Sequence, residues 1–231
     1  MFNPSRIRAI TLDLDDTLWP VMPTIERAEA ALQAWLVQHA PATATLLEDA
    51  ERRRAIRAAV NHELAQHAHD LTLLRREAIR RALAQAGDDE ALAAPAFDVF
   101  FAERQRVTLY HDALPTLQWL SERFPVVALS NGNADVELVG LGAYFHGRVA
   151  ARECGVSKPD RRIFLAAADC AGVPPEAVLH VGDDPGHDVL GALGAGMQAV
   201  WLNRAGAPWP HEPQRPHLEC DTLLRLRQVL A

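Results

Sequence analysis

Residues 10–19 read ITLDLDDTLW, an apolar run that ends in three aspartates within four positions. The β-branched and leucine-rich segment from Arg6 to Leu14 is typical of a buried strand. Carboxylates crowded at the end of such a strand repel one another, and they cost free energy at the rim of a core unless a cation compensates their charge. This stretch therefore predicts a buried strand that carries acids to a functional site.

The rest of the chain shows two different patterns. Between about Pro20 and Pro115, alanine, leucine, glutamate and arginine recur at three- and four-residue spacing. This spacing predicts amphipathic helices over PTIERAEAALQAWLVQHA, LLEDAERRRAIRAAVNHELAQ and LTLLRREAIRRALAQAG. After Pro115 strands and helices alternate: PVVALSNG, AVLHVGDD and MQAVWLN have strand character, and RRIFLAAADCAG and DVLGALGAG have helix character. Such alternation predicts βαβ units and a parallel sheet.

The first strand cannot form a sheet alone, so we expect it to pair with the later strands. The predicted fold is α/β, with a doubly wound, Rossmann-like parallel-sheet core and an all-helical domain inserted into it. We place the core at residues 1–19 and 113–231, and the helical insertion at residues 20–112. The proline- and histidine-rich stretch from Ala205 to Pro216 is predicted to be a surface loop before a last short helix.

Composition narrows the possible functions. The 231 residues include 49% hydrophobic and 23% charged residues, and the net charge is −7. An acidic balance argues against a nucleic-acid or anionic-membrane partner, because both need a basic surface. The three cysteines form no CxxC pair, and neither a signal sequence nor an apolar stretch of membrane-spanning length is present. We therefore expect a cytoplasmic protein with reduced thiols.

Four polar clusters stand near the predicted carboxyl ends of the strands, where ligands bind in open parallel sheets. They are Asp13–Thr17, Ser130–Asn133, Lys158–Pro159 and Gly182–Asp188. Each cluster alone is also compatible with an ordinary turn, because Asp, Asn, Gly and Pro favour turns. Together they bring acids, a hydroxyl and a cation to one rim, which favours a shared site.

These residue types indicate phosphoryl transfer assisted by magnesium. Magnesium takes oxygen ligands, and Asp13 and Asp183 come from two strand ends. Asp13 is a candidate nucleophile that would form an aspartyl-phosphate. Asp15 is placed to protonate the leaving alcohol and later to accept a proton from water. The Ser130 hydroxyl and the backbone N–H groups of Asn131 and Gly132 are candidates for holding phosphoryl oxygens.

Lys158 is the only lysine among 23 basic residues, and it lies in the predicted active-site loop. A compact ammonium suits a cluster of phosphate and carboxylate groups better than a wide guanidinium does. The alternative is that a single lysine has no special meaning in an arginine-rich chain. By contrast, His180, inside a predicted strand, is interpreted as a core histidine with satisfied hydrogen bonds.

The motifs DLDDTL, SNG, SKP and GDDPGHD, in this order and spacing, resemble the four motifs of the haloacid dehalogenase (HAD) superfamily. The resemblance implies that Asp13 is the nucleophile, Asp15 the general acid/base, and Ser130 and Lys158 further catalytic residues. It also implies that Asp15 gives its backbone carbonyl to Mg²⁺ and that Asp184 or Asp188 assists the metal. The implied metal-binding residues are Asp13, Asp15, Asp183, Asp184 and Asp188. The helical insertion resembles the C1 type of cap.

Within the superfamily, the chain is similar to bacterial phosphatases that act on flavin mononucleotide (FMN) and on 5-amino-6-(5-phospho-D-ribitylamino)uracil. This similarity implies a role in riboflavin metabolism, with a small phosphorylated metabolite as the partner of a monomer or homodimer. Trp19 is a candidate for stacking on a flat ring, and arginines of the insertion are candidates for meeting a polar base or an anion. The equally plausible alternative is that Trp19 packs at the hinge and the arginines are solvated. The full set of substrate-binding candidates is Trp19, His69, Thr72, Arg75, Arg76, Ser130, Asn131, Gly132 and Asn133.

Other functions share parts of this pattern. A phosphatase of phosphoglycolate or a sugar phosphate would use the same core residues, and so would a phosphosugar mutase. True dehalogenases of the superfamily lack the second acid, which is present here as Asp15. A non-catalytic phosphoaspartate receiver or binding module would need neither Asp15 nor a helical insertion of this length.

Overall fold

Six parallel strands form one sheet in residues 2–231, the part of the chain that the computed structural model describes. Their order across the sheet is β3-β2-β1-β4-β5-β6, which is a doubly wound arrangement. The predicted parallel α/β core is thereby confirmed. The strands are β1 (Ala9–Leu12), β2 (Val126–Ser130), β3 (Gly147–Ala150), β4 (Val178–Gly182), β5 (Gln198–Leu202) and β6 (Leu218–Cys220).

The central strands are apolar because helices cover both faces of a parallel sheet. All residues of β1, β2, β4 and β5 are buried. Ile10 of β1 lies in register with Val126 on one side and Leu179 on the other. The next strand along the chain, β2, lies on one side of β1, and β4 lies on its other side. The loops that follow β1 and β4 therefore diverge, and such a divergence opens a ligand-binding crevice in this class of fold.

The chain divides into two compact units. One contains the sheet and extends to Pro20 and again from Thr108 onward, and the other is Val21–Val107. The second unit is helical, and its apolar core includes Leu36, Leu83, Phe97 and Phe100. Its helices are α1 (Val21–His39), α2 (Pro41–Glu48), α3 (Ala50–Glu63), α4 (Leu71–Ala86) and α5 (Ala93–Arg104). The assignment of residues 20–112 as a C1-type cap stays a prediction.

The helical unit differs from the predicted helices in two places. The segment predicted as one helix around Asp49 is two helices, because the Asp49 carboxylate accepts hydrogen bonds from the N–H groups of Glu51 and Arg52 and so begins α3. Helix α5 was not predicted at all. It starts with Pro95 in its first turn and buries Phe97 and Phe100, a composition that periodicity alone does not separate from a strand.

The sheet-containing unit carries the remaining helices, and the short edge strands β3 and β6 were also not predicted. As predicted, a loop over Ala205–Pro216 precedes the last helix, although β6 intervenes. No helix in residues 2–231 combines the length and apolar character needed to cross a membrane. The helices of this unit are α6 (Ala113–Ser121), α7 (Ala151–Cys154), α8 (Arg161–Cys170), a π-helical turn (Pro185–Leu190), α9 (Gly191–Ala195) and α10 (Leu223–Leu230).

Candidate active site

A buried lysine joins two buried aspartates at the carboxyl end of the sheet. The Lys158 Nζ atom donates to Asp13 Oδ1 at 2.5 Å and to Asp188 Oδ1 at 2.6 Å. Asp13 directly follows β1, where its N–H donates to the carbonyl of Val181 on β4 at 2.9 Å. All three side chains are at most 10% exposed. The fold thus brings together residues of the DLDDTL, SKP and GDDPGHD motifs, as the sequence predicted.

A third carboxylate completes the cluster. Oxygen atoms of Asp13, Asp183 and Asp188 all lie within 4.8 Å of one another. Asp183 follows β4, and its carbonyl accepts a 2.8 Å hydrogen bond from the Trp201 indole of β5. The Thr17 hydroxyl donates to Asp183 Oδ1 at 3.4 Å. Neighbouring strand ends thus hold three acids around one lysine, so negative charge exceeds positive charge here.

Burial and neighbouring charges set the proton affinities of these groups. Burial raises the pKa of Asp13 well above its ordinary value, and the Lys158 charge only partly opposes this. Burial, together with the charges of Asp188 and Asp16, raises the pKa of Asp183 to about 7. For Asp188, burial acts upward, but the Lys158 ammonium and the His180 hydrogen bond outweigh it and hold the pKa below its usual range.

Burial and the two neighbouring carboxylates act in opposite directions on Lys158, and the carboxylates keep it charged. Burial disfavours an ammonium, yet the pKa of Lys158 is raised because Asp13 and Asp188 more than compensate. One ammonium cannot neutralise three carboxylates, and the charges of the neighbouring acids add to the burial that raises the pKa values of Asp13 and Asp183. A divalent cation with oxygen ligands would supply the missing charge. The oxygen atoms of these three acids lie close enough together to hold a metal ion.

The two alternative acids of the last motif occupy different places. Asp188 lies in the cluster, whereas the Asp184 carboxylate accepts from the N–H groups of Gly186 and His187 and so caps the π-helical turn. The Asp184 side chain also pairs with His187 and is 46% exposed. The structure thus brings Asp188 to the acid cluster and gives Asp184 a capping role in place of the predicted metal contact.

Gly182 makes room for Asp188. A Cβ atom at residue 182 would lie 2.2 Å from Asp188 Cγ, which is far inside contact distance. Gly182, which ends β4, is therefore required because any larger residue would collide with Asp188. This requirement is readable only from the structure, because the glycine alone is an ordinary turn signal.

The SNG segment is arranged by its own hydrogen bonds. The Ser130 Oγ atom accepts from the Gly132 N–H at 2.9 Å and keeps its own proton for donation. The Asn131 amide brackets the backbone of Lys158, accepting from its N–H at 2.7 Å and donating to its carbonyl at 3.0 Å. The side chain of Asn131 thus fixes the lysine loop, and Asn133 lies partly buried in the same segment. The Gly132 N–H, predicted to hold a phosphoryl oxygen, is engaged by Ser130.

The three acids of the opening stretch are not equivalent. Strand β1 ends at Leu12, so the side-chain alternation of the strand does not extend to Asp15. The Asp15 carboxylate lies outside the acid cluster and accepts a 2.8 Å hydrogen bond from the Trp19 indole N–H. Asp16 has φ +56°, the left-handed conformation that aspartate tolerates in turns.

Trp19 differs most from its predicted role. Its side chain is fully buried, so in this structure the ring presents no open face on which a flat substrate could stack. Its indole holds the Asp15 carboxylate instead. Trp19 is therefore a support for the acid/base candidate, and the packing alternative describes it better.

Two sets of supporting residues were missed by the sequence analysis. Arg204 forms a two-pronged ion pair with the fully buried Asp112, and it also donates to the carbonyl of Thr17 at 3.0 Å. Its guanidinium lies 4.0 Å from the centre of the Tyr110 ring. This ties the end of β5 to the loop after Asp13. The signal was absent from the sequence because Arg204 and Asp112 are separated by more than ninety positions.

The second set is His180 with Thr11; the sequence placed His180 in the core but did not show its contact with the acid cluster. The His180 ring is fully buried, with Nδ1 2.8 Å from Thr11 Oγ1 and Nε2 3.0 Å from Asp188 Oδ1. Burial lowers the pKa of His180, in spite of the nearby Asp188 charge. The interpretation of a satisfied core histidine holds, but one of its partners belongs to the acid cluster.

The four candidates of the helical unit lie on or just before α4. Arg75 pairs with Glu29 of α1, and its guanidinium lies 4.1 Å from the centre of the Phe100 ring. Arg76 lies beside Phe97, at 5.9 Å from its ring centre, and the buried hydroxyl of Thr72 has no hydrogen-bond partner among residues 2–231. Arg75 is thus ion-paired rather than solvated. The substrate-binding roles of His69, Thr72, Arg75 and Arg76 stay predictions.

Comparison with known proteins identifies the family. The sequence model of the haloacid dehalogenase-like hydrolases matches residues 7–196, most of the chain. The chain belongs to this family. It is therefore an enzyme of the hydrolase class, and both the predicted superfamily and its fold are confirmed.

Individual relatives of this family point to two activities. The chain is 36% identical, over 97% of both chains, to 5-amino-6-(5-phospho-D-ribitylamino)uracil phosphatase YigB of Escherichia coli K12. It is 41% identical to the phosphoserine phosphatase of Thermus thermophilus over 47% of this chain and 46% of that one. The crystal structure of a 2-haloacid dehalogenase from Pseudomonas syringae pv. tomato has a TM-score of 0.91 and 38% identity, covering 97% of this chain and 98% of that one.

Proposed function

We propose that the protein is a Mg²⁺-dependent phosphomonoesterase that works through an aspartyl-phosphate on Asp13. The observation that carries this proposal is the convergence of Asp13, Asp183 and Asp188 on a site with one ammonium. A site with excess negative charge repels an anionic substrate unless a cation is present. Such a site suits a phosphate bound together with a divalent metal.

In the first step, a carboxylate oxygen of Asp13 attacks phosphorus and the bond between phosphorus and the leaving oxygen breaks. Asp15 gives a proton to that oxygen, so the product leaves as a neutral alcohol. Lys158 neutralises part of the charge on Asp13 and on the incoming phosphoryl group. The Ser130 hydroxyl, whose lone pair is engaged by Gly132, donates its proton to a phosphoryl oxygen.

In the second step, Asp15 takes a proton from water, and the water oxygen attacks phosphorus. The bond between phosphorus and Asp13 breaks, which releases inorganic phosphate and regenerates the carboxylate. Asp13, Asp183 and Asp188 would hold the metal by their side chains, and Asp15 by its backbone carbonyl. When bound, Mg²⁺ would compensate the charge of the carboxylates and the phosphoryl group.

The alternative activity is dehalogenation, favoured by the likeness to the Pseudomonas enzyme. Two features of this chain favour the phosphatase. A halide leaves without a proton and needs no general acid, yet Asp15 is held in place by Trp19. Displacement of a halide also needs no divalent cation, whereas the acid cluster lacks positive charge.

For the substrate, we propose FMN or 5-amino-6-(5-phospho-D-ribitylamino)uracil, which would place the enzyme in riboflavin metabolism. The support is the similarity to the Escherichia coli phosphatase over almost the whole length of both chains. Phosphoglycolate, a sugar phosphate or isomerisation of a phosphosugar are the competing possibilities. The catalytic motifs are common to all of these, so the distinction depends on the helical unit.

A panel of substrates with and without Mg²⁺ tests the proposal. We expect phosphate release that requires the metal, with the highest kcat/KM for FMN or the phosphoribitylamino-uracil. The panel also includes phosphoglycolate, hexose phosphates and a 2-haloacid, and Asp13→Asn serves as the inactive control. Halide release without Mg²⁺ would overturn the phosphatase assignment, and a clear preference for a hexose phosphate would overturn the substrate assignment.

A further inference from the structure

A polar pair is buried in the middle of the sheet next to the acid cluster. Thr11 of β1 and His180 of β4 lie directly opposite each other in register, and both side chains are fully buried. Their neighbours along the strands are apolar. A buried imidazole costs free energy unless its nitrogen atoms are hydrogen-bonded, so an apolar residue at residue 180 would be the cheaper way to fill the core.

The surroundings of His180 leave its ring one orientation. Nδ1 contacts the Thr11 hydroxyl at 2.8 Å, and Nε2 contacts Asp188 Oδ1 at 3.0 Å. The Phe164 ring of α8 packs edge-on against the imidazole, with ring centres 5.2 Å apart. A carboxylate only accepts hydrogen bonds, so the proton must lie on Nε2. In the neutral ring, Nδ1 then accepts from the Thr11 hydroxyl.

Three donors fix the Asp188 carboxylate. Lys158 Nζ and His180 Nε2 both donate to Oδ1, and the Asp184 N–H donates to Oδ2 at 3.0 Å. Lys158 is mobile by nature, because its ammonium lies at the end of a flexible stem. Because the ammonium also donates to Asp188, a fixed Asp188 helps to hold it at its 2.5 Å contact with Asp13.

We infer that His180 is a positioning residue: its Nε2–H, aligned by Thr11, holds Asp188 and through it Lys158 against Asp13. This inference rests on the proposed function for its effect on catalysis, but the hydrogen-bonded chain itself exists without substrate. His180 touches neither the phosphoryl group nor Asp13. Its loss should therefore lower kcat and metal affinity while leaving KM nearly unchanged.

A matched pair of amide substitutions separates positioning from core filling. In His180→Gln the side-chain amide nitrogen reaches the place of Nε2 and can still donate to Asp188. In His180→Asn the shorter amide reaches only the place of Nδ1, beside Thr11. We expect the Asn variant to lose about 10- to 100-fold in kcat and in Mg²⁺ affinity, the usual cost of removing a group that orients a metal ligand. The Gln variant should stay within a few-fold of the wild type.

Two readouts do not depend on turnover. Mg²⁺ binding is measured by calorimetry without substrate, and the tautomer of His180 is read from ¹⁵N NMR of the metal-free wild-type protein. His180 is recognised there as the histidine whose ring N–H exchanges slowly with solvent. The expected state is the Nε2–H tautomer, and Thr11→Ser should keep it because its hydroxyl can still donate to Nδ1.

An Nδ1–H tautomer in the wild type would overturn the inference, even if no His180 variant folds. Equal losses in the Gln and Asn variants, or no loss in either, would overturn it too. Failure of the proposed function has a different signature. The wild type would then release no phosphate from any ester, while the tautomer and Mg²⁺ binding would still report on His180.

Discussion

Each of the three aspartates that follow the first strand has its own surroundings. Asp13 is buried against Lys158, Asp15 is held by the Trp19 indole, and Asp16 turns the chain with a left-handed backbone. Like charges so close in sequence are tolerated because each side chain has a different partner. The repulsion expected among the three carboxylates of residues 13–16 is therefore reduced by their separate surroundings.

The position of Asp15 leads to a prediction about leaving groups. Asp15→Asn keeps the shape and the Trp19 contact but cannot transfer a proton, so kcat for an alkyl phosphate should fall by about 10²- to 10⁴-fold. With p-nitrophenyl phosphate, whose leaving group needs no proton, the variant should show a rapid burst of nitrophenolate before a slow steady state. Stopped-flow kinetics measure both phases. Unchanged steady-state rates on both substrates would contradict the acid/base role.

Asp183 predicts how metal binding depends on pH. Its pKa is raised to about 7, chiefly by burial and then by Asp188 and Asp16. Mg²⁺ binds the deprotonated carboxylate, so affinity should rise with pH up to about 7 and level off above it. Calorimetry across this range measures the effect, and Asp183→Asn should bind weakly at every pH. An affinity that is independent of pH between 5 and 8 would contradict this.

The raised pKa of Asp183 also determines how the stability of the metal-free protein changes with pH. The pKa of Asp183 in the folded protein lies above its ordinary value of 3.8. The metal-free fold therefore has a contribution from Asp183 that is fully present below that value and is lost as pH rises through about 7. Asp183→Asn should remove this part of the pH dependence from thermal unfolding curves.

At the residue scale, the sequence is informative where a chemical group appears in a motif. Asp13, Ser130, Lys158 and Asp183 were predicted as site residues, and the structure brings Lys158, Asp13 and Asp183 into one buried cluster. Residues that hold the site residues in place are harder to predict, because their partners lie far away along the sequence. His180, Thr11, Arg204 and Asp112 have no motif, and only the packed sheet shows what they touch.

At the scale of elements, the turn between β4 and the π-helical segment sets the geometry of the acids. Gly182→Ala would place a methyl group 2.2 Å from Asp188 Cγ, so Asp188 must move. We expect a loss of about 1–3 kcal/mol in the free energy of unfolding, as for other overpacked sites, with weaker Mg²⁺ binding. Gly194→Ala in α9 is the matched control, because its Cβ would meet no atom within 4 Å.

Urea unfolding and Mg²⁺ calorimetry measure both glycine variants. Gly194→Ala should be neutral or slightly stabilising, because alanine favours a helix over glycine. If Gly182→Ala binds Mg²⁺ as tightly as Gly194→Ala does, the packing of Asp188 against Gly182 is not what positions the acid.

An ion-pair network joins three helices of the helical unit. Glu29 of α1 pairs with Arg57 of α3 at 2.5 Å and also with Arg75 of α4. Burial acts to raise the pKa of Glu29, but Arg75 and Arg57 outweigh it and lower the pKa below its ordinary value of 4.5. Stability from this group is therefore present above that value and is lost as the pH falls through the lowered pKa.

Glu29→Gln tests this network. At pH 7 we expect a loss of about 1 kcal/mol in the free energy of unfolding, modest because the pair is partly exposed. The difference from wild type should shrink as the pH falls below about 4.5. Glu26→Gln, an exposed glutamate on the same helix, is the control. A loss that does not change with pH would mean that packing, and not charge, is responsible.

Helices and strands with a clear pattern of apolar residues were predictable from the sequence. Short strands, and a helix without such a pattern, were not. The helices α1, α4 and α8 and the strands β1, β2, β4 and β5 follow apolar patterns that run through most of their length. Helix α5 has no clear amphipathic period, and β3 and β6 are only four and three residues long. Their existence depends on partners far along the chain, which local propensity does not reveal.

For the whole molecule, order and spacing of motifs carry more information than composition. A net charge of −7 argues against a strongly acidic partner, but it does not select an activity. The alternation of strands and helices predicted a doubly wound core with the acids near the carboxyl ends of its strands, and the sheet order confirms that core. The identity of the substrate does not follow from the core, because the same acids serve every phosphoester.

The proposed mechanism requires a covalent bond between Asp13 and phosphorus. Rapid acid quenching during turnover of a ³²P-labelled substrate with Mg²⁺ captures this bond if it forms. We predict an acid-stable, base-labile label on the peptide that contains Asp13, present in wild type and in Asp16→Asn but absent from Asp13→Asn, whose turnover should fall by roughly 10³-fold or more. Phosphate release by the wild type with no labelled enzyme at any time, or a label that persists in Asp13→Asn, would contradict the account.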